Sequence, residues 1–305
     1  MVIVPTVLVL GAGASAHLGF PTGYGLRKRI LERAKDQLEK KIYGDLDIND
    51  DTLREFIVAF RDSGQISIDR FLESRPRFLE TGKKMIATAL IEDEKPDRLF
   101  GHVTDPSTSN WYEQLFQWMK PDSPEGFGDN QLCVITFNYD RSLEQYLIRC
   151  LVNSYELTPE NAYMQLQRLP IIHVHGSLGD LLPGSPSFRR YEERLDAEMI
   201  LRAQSLIRIV HEGEDTLWTK TARKNLEKAQ RVFFLGFGYD PNNVKKIGWS
   251  RDLLKAKEIL GSWRGMTLME AKRVQSMHGI GFDNNFGGHD VGTFLRHIMP
   301  LDKEP

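Results

Sequence analysis

Val7-Leu8-Val9-Leu10 runs without a polar break into Gly11-Ala12-Gly13-Ala14-Ser15-Ala16. A short apolar run with no alternation suits a strand buried on both faces, as in a parallel sheet covered by helices. Beyond the glycines, Leu26, Ile30, Ala34 and Leu38 recur every four residues, with Arg, Lys and Glu between them. That spacing predicts an amphipathic helix. Strand, glycine turn and helix together open an α/β fold.

The same unit recurs downstream. Leu132 to Phe137 reads as a second buried strand, ending in Asn138-Tyr139-Asp140, and a helix with Leu143, Leu147, Ile148 and Leu151 on one side follows. Pro170 to His175 reads as a third strand, ending in Gly176-Ser177-Leu178-Gly179. A helix from Thr219 to Gln230 precedes a fourth, Val232 to Leu235, which ends in Gly236-Phe237-Gly238-Tyr239-Asp240. Between the first two units, Asp51 to Met119 reads as mainly helical, with Leu53, Phe56, Ile57 and Phe60 on one face and Trp111 to Met119 as a last short helix. Pro96 to Asn110 and Leu181 to Pro186 read as loops. Past Asn243 short helical and Gly-rich pieces alternate without a clear pattern, and no internal repeat stands out. The expectation is an α/β, Rossmann-like parallel sheet in one domain over 1–305. Residues 24–130 would be a largely helical insertion, and 131–250 would complete the nucleotide-binding core. Open sheets of this kind hold ligands at the carboxyl ends of their strands, where the unusual polar residues of this chain gather.

Composition narrows the classes. A formal net charge of −2 gives no general attraction to nucleic acid or anionic membrane. The N-terminus lacks the basic leading segment of a signal peptide, and no apolar run approaches the roughly 20 residues of a membrane helix. A cytoplasmic protein is expected. The two cysteines, Cys133 and Cys150, read as buried free thiols in a reducing compartment. They are too few for a four-thiolate zinc site.

Each turn has a functional and a purely structural reading. Gly11 to Ala16 fits the G-x-G-x-x-G/A dinucleotide pattern, in which glycine lets the backbone approach a pyrophosphate and the helix behind offers free N–H groups. It equally fits a tight turn with no ligand. A dehydrogenase would need an acidic residue about 20 positions on, after a second strand. Here Ile30 to Ala34 sits inside a charged helix, so that enzyme is disfavoured. Asn138 and Asp140 are good helix caps as well as candidate contacts. His175 titrates near neutral pH and can accept a proton. It is read as ending a strand beside Gly176. His173 would face the same side of that strand, which leaves a paired-histidine metal site as an alternative.

Taken together, Gly11-Ala12-Gly13-Ala14-Ser15, Gly19-Phe20-Pro21-Thr22-Gly23, Thr136-Phe137-Asn138-Tyr139-Asp140, His173-Val174-His175-Gly176-Ser177 and Phe234-Leu235-Gly236-Phe237-Gly238 resemble, in order, the motifs of the sirtuin-like family. The Thr22-Gly23 continuation resembles the bacterial branch associated with antiphage defence. The resemblance implies that Gly11, Ala12, Gly13, Ser15, Pro21 and Thr22 contact NAD+. Asn138 would sit beside the nicotinamide ribose, Asp140 near the nicotinamide amide, and Gly236 and Gly238 over the adenosine half. Asn138 and His175 would be catalytic. The zinc cysteines and a recognisable acyl-lysine segment of sirtuin deacylases are missing. The resemblance therefore implies an NAD+ hydrolase without zinc, releasing nicotinamide and ADP-ribose. A protein deacylase or ADP-ribosyltransferase and a non-catalytic NAD or ADP-ribose sensor are the alternatives. It further implies a homo-oligomer, with a HerA-like ATPase as a possible partner, while the net charge and the lack of a long apolar run lead to the expectation of no direct nucleic-acid or membrane contact. Ser67 to Leu72 also resembles a helical segment of sirtuin-like effectors, and Asp69 is given no role.

Overall fold

Three strands lie side by side at the centre of the sheet with their carboxyl ends level. In the computed structural model, Leu10 at the end of β1 (Thr6–Leu10) is paired with Thr136 at the end of β2 (Leu132–Thr136). On its other side Leu10 is paired with Leu235 at the end of β4 (Arg231–Leu235). β3 (Ile171–His173) lies outside β2, and β5 (Glu258–Gly261) outside β4, so the order is β3-β2-β1-β4-β5, all parallel. This is the α/β Rossmann-like sheet expected. The structure describes residues 1–103, 110–192, 194–209, 216–250, 253, 258–282, 290–297 and 301.

Alternate residues of β1 feed two cores. Leu8 and Leu10 pack into a large cluster on one face, and Val7 and Val9 into a smaller one on the other. A strand buried on both faces must be apolar throughout, which is why β1, β2 and β4 were readable. The large core is built by helices inserted between β1 and β2: α1 (Gly23–Lys40), α2 (Asp50–Asp62), α3 (Ile68–Ser74), α4 (Leu79–Leu90) and α5 (Trp111–Met119). Phe56, Phe60, Phe71 and Phe78 stack there with ring centroids 4.8–5.9 Å apart. After β2 come α6 (Ser142–Tyr155) and α7 (Pro159–Leu166). After β3 come α8 (Ala197–Gln204) and α9 (Leu217–Lys228), of which α9 covers the smaller core. α10 (Pro241–Lys246) follows β4, and α11 (Leu268–His278) and α12 (Val291–His297) follow β5. Side-chain caps start many of these helices: Asn49 for α2, Ser67 for α3, and a full capping box between Thr267 and Glu270 for α11. Among the described residues no helix is long and apolar enough to cross a membrane.

Four expectations need correction. β5 was not anticipated: only Ile259 and Leu260 are apolar in it, and an edge strand needs no longer run. β3 ends at His173, so His175 lies past the strand and does not terminate it. Helix α1 does not follow the glycine turn directly. Two short 3-10 turns, Ala12–Ala14 and Ala16–Leu18, come first. Residues 96–103, read as loop, also form 3-10 turns, and 104–109 lie outside the described residues.

One charged cluster inside the large core fixes the residue next to Asp140. Glu94 is fully buried and accepts from both Arg141, at 2.7 and 3.0 Å, and Arg189. Arg141 also donates to the carbonyl of Arg189 at 2.8 Å. Removing one partner of such a buried pair costs about 3–5 kcal/mol, because the other charge is left stranded. The cluster holds the start of α6 against the segment after α4.

Candidate functional site

The glycines at the sheet's carboxyl edge are required by contact between two turns. Gly11 N–H donates to the Leu235 carbonyl at 3.0 Å and Gly13 N–H to the Gly236 carbonyl at 2.9 Å. A Cβ on Gly11 would stand 2.7 Å from the Gly236 oxygen, and one on Gly13 2.8 Å from the Gly236 Cα. Gly236 has a φ of +57°, and a Cβ there would overlap the Ala14 nitrogen. So the β1 turn touches the β4 turn backbone to backbone, and this need exists without any ligand. Ser262, just past β5, accepts the Gly236 N–H at 2.8 Å and steadies the arrangement.

On the other side of β1, the β2 turn reaches over with side chains. Asn138 Nδ2 donates to the Gly11 carbonyl at 3.0 Å and to Ser15 Oγ at 3.1 Å. Ser15 Oγ donates to Asp140 Oδ2 at 2.7 Å. Asp140 Oδ1 accepts the Ser142 N–H at 3.2 Å and the Ser142 hydroxyl, so it caps the start of α6 and holds Ser15 at once. Tyr112, on α5, lies 2.7 Å from Ser142 Oγ and supplies the next donor. Burial pushes the Asp140 carboxyl above its usual range, and the donors Ser142 and Ser15 pull it back. Between Asn138 and Asp140, the Tyr139 ring is buried. Its hydroxyl donates to Asp69 of α3.

The three turns open on a cleft of two adjoining hollows that share Ala12, Gly23, Phe237 and Gly238. The smaller, about 220 Å³, is walled by Gly11, Ser15, Pro21, Asn138, Asp140 and Asp69. The larger, about 700 Å³, is walled by Gly13, Thr22, Gly236, Ser262, Arg264 and Asp290. The larger volume falls within the range of small-ligand sites, roughly 300–1,000 Å³, and the smaller hollow extends it. The first turn of α1 enters the cleft at Thr22-Gly23, where free N–H groups favour an anion. Gly11, Ala12, Gly13, Ser15, Pro21, Thr22, Asn138, Asp140, Gly236 and Gly238 are thus brought to one cleft.

His175 is not on its wall. The side chain is 2% exposed and lies behind Phe137 and Tyr139, which do line the cleft, with ring centroids 5.8 and 6.2 Å away. Its Nδ1 is buried without a hydrogen-bond partner, a state that typically costs about 1–3 kcal/mol. Asp69 Oδ1 is 3.7 Å from that nitrogen. Burial pushes the imidazole below its ordinary value, opposed mainly by Asp69. His173 is held differently: Nδ1 meets the Asn138 carbonyl at 2.9 Å and Nε2 meets Glu144 at 2.5 Å. Burial would lower its pKa, but Glu144 and the Asn138 carbonyl outweigh that and raise it. His173 therefore supports the β2 turn from below. Among the described residues no group of three or more His, Cys, Asp or Glu is placed to hold a metal ion.

Sequence reasoning missed Asp69, Ser142, Tyr112 and the far wall of Ser262, Arg264 and Asp290. Only Asp69 had a local signal, the resemblance of Ser67 to Leu72 to a helical effector segment, and that short match gave it no role. Comparison of the chain with protein-family models and with curated proteins finds no match.

Proposed function

We propose that this chain is a sirtuin-like NAD+ hydrolase. The observation that carries the reading is the Asn138–Ser15–Asp140 network. It stands at the level ends of β1 and β2, on the smaller hollow of a cleft whose larger hollow is walled by glycine turns. The adenosine half of NAD+ would lie along Gly236 and Gly238, and the pyrophosphate at the first turn of α1. The nicotinamide ribose would then reach Asn138. In the reaction, the bond from ribose C1′ to the nicotinamide nitrogen breaks and its electron pair leaves with nicotinamide. Water forms the new C1′–O bond, and its proton passes to the protein with His175 as the final base. Asn138 and Ser15 orient the ribose hydroxyls and the water, so that much of the rate gain comes from positioning and fixed dipoles. A place in antiphage defence, assembly into a homo-oligomer and gating by a HerA-like ATPase belong to the same proposal. They are supported by the family resemblance alone.

The test is nicotinamide release from NAD+ by the purified chain. Asn138→Ala and His175→Ala should each abolish release while the thermal unfolding midpoint stays near that of the parent. Full activity in both variants would sink the assignment.

One observation favours a second reading. His175 is sealed behind Phe137 and Tyr139, as suits a protein that binds NAD+ or ADP-ribose and passes that state to a partner. Tight NAD+ binding with no nicotinamide release, with or without the ATPase, would select it.

A further inference from the structure

One carboxylate lies both on the cleft wall and beside the buried histidine. Asp69 projects from the first turn of α3, whose cap Ser67 accepts the Arg70 N–H at 3.3 Å. It walls the smaller hollow together with Asn138 and Asp140. Its Oδ1 accepts the Tyr139 hydroxyl and lies 3.7 Å from the unpartnered His175 Nδ1, and its Oδ2 accepts the Ser67 hydroxyl at 3.3 Å. Asp140, the other carboxylate on this wall, already accepts from Ser15 and twice from Ser142. The Asp69 side chain is 21% exposed, whereas Asp140 is buried. The wall thus holds one carboxylate committed to the turn and one that bridges toward His175.

We propose that Asp69 is a further catalytic residue: it takes the proton of the attacking water and passes it to His175 Nδ1. This rests on the hydrolase reading above and resolves its main difficulty, a base with no face on the cleft. As the C1′–O bond forms and the C1′–N bond breaks, the water proton moves to the Asp69 carboxylate. It then crosses to His175, leaving Asp69 ionised and the imidazole protonated. Nδ1–H then has the Asp69 carboxylate as its acceptor, so the orphaned nitrogen is satisfied in the state that the reaction creates. The charged groups facing His175 are Asp69 and Glu73 of α3, which favour the protonated ring, and Lys246 of α10, which opposes it. Lys246 is itself paired with Glu73, which tempers both.

The experiment uses the full chain and the variant Asp69→Asn, in which the amide oxygen still accepts from Tyr139. Turnover should fall about 100-fold or more, with KM for NAD+ changed only a few fold. The Asp69→Asn, His175→Ala double variant should lose no more than the worse single one, because the two act as a unit. Independently of turnover, the His175 ring followed by NMR should titrate at a lower pH in Asp69→Asn than in the parent. That shift reads the Asp69 charge acting on the ring, and the loss of turnover with KM nearly unchanged is what a purely structural role would not produce. Turnover of Asp69→Asn within about twofold of an active parent, or an unmoved His175 titration, overturns the relay alone. A parent chain that binds NAD+ and releases no nicotinamide overturns the hydrolase reading and the relay with it.

Discussion

The turns leaving β2 and β4 carry matching tetrapeptides, Phe137-Asn138-Tyr139-Asp140 and Phe237-Gly238-Tyr239-Asp240, on opposite sides of β1. Both tyrosine hydroxyls donate to an acceptor outside the turn, and both aspartates accept an N–H at the start of the next helix. From this shared frame the two diverge. Tyr139 anchors on a carboxylate, Asp69, whereas Tyr239 anchors on the backbone carbonyl of Ser262 at 2.7 Å. Asn138 reaches across to Gly11 and Ser15, whereas Gly238 leaves open space where a side chain would be. Asp140 is buried and holds Ser15, whereas the Asp240 side chain is 38% exposed and lies 3.9 Å from Arg70. One sequence pattern thus presents reactive groups on one side of β1 and bare surface on the other. A polar side chain orients a ligand, and an open glycine lets a ligand lie close.

The sharpest way to break the pair is at the extra glycine of the β4 turn. Gly236→Ala must hold a Cβ at positive φ against the Ala14 nitrogen. It should destabilise the fold by about 3 kcal/mol or more, read as a lowered denaturant midpoint. Next, Asn138→Gly makes the two tetrapeptides alike. Nicotinamide release should drop by about 100-fold at the least, or about 2.7 kcal/mol or more in barrier, as for Asn138→Ala, and an unchanged rate would remove Asn138 from the chemistry. Third, the two aspartates should differ in stability. Asp140→Ala strands the buried Ser15 and Ser142 hydroxyls and should cost about 2–3 kcal/mol. Asp240→Ala loses only a cap, about 1 kcal/mol. Equal costs, measured by chemical denaturation, would erase the distinction between a buried and a solvated turn. The smallest effect belongs to Gly238→Asn, which should change stability by about 0.5 kcal/mol or less. Added to Asn138→Gly, it should restore no turnover, because the asparagine then lies on the wrong side of β1.

What was legible follows from how burial writes itself into sequence. β1, β2 and β4 are buried on both faces, so Val7-Leu8-Val9-Leu10, Leu132 to Thr136 and Arg231 to Leu235 are nearly continuous apolar runs. β5 is an edge strand with intermediate exposure at Glu258, Ile259 and Leu260, and its four residues carry no such run. The polar turns were legible for the same reason, since Asn138 and Asp140 interrupt long apolar stretches. Asp69 was not, because it joins the site from a helix some 70 positions away from Tyr139 and Asp140. The placement of His175 was misread because the His-x-His spacing suggested a longer strand. The chain instead leaves β3 at His173 and turns at Gly176, φ +73°, which carries His175 inward. The matching tetrapeptides escaped notice because four residues are too few to register as a repeat without the contacts their tyrosines and aspartates share.

The backbone lock between the β1 and β4 turns has a consequence for hydrogen exchange. Amides at the mouth of a ligand cleft ordinarily exchange fast through local opening. Here the Gly11 and Gly13 amides are bonded to Leu235 and Gly236, and they cannot open without parting two strands of the sheet. They should exchange as slowly as the centre of β1. Ligand-dependent protection should then be found across the cleft, at Gly23 to Gly25, where the amides of α1's first turn have no earlier turn of helix to bond.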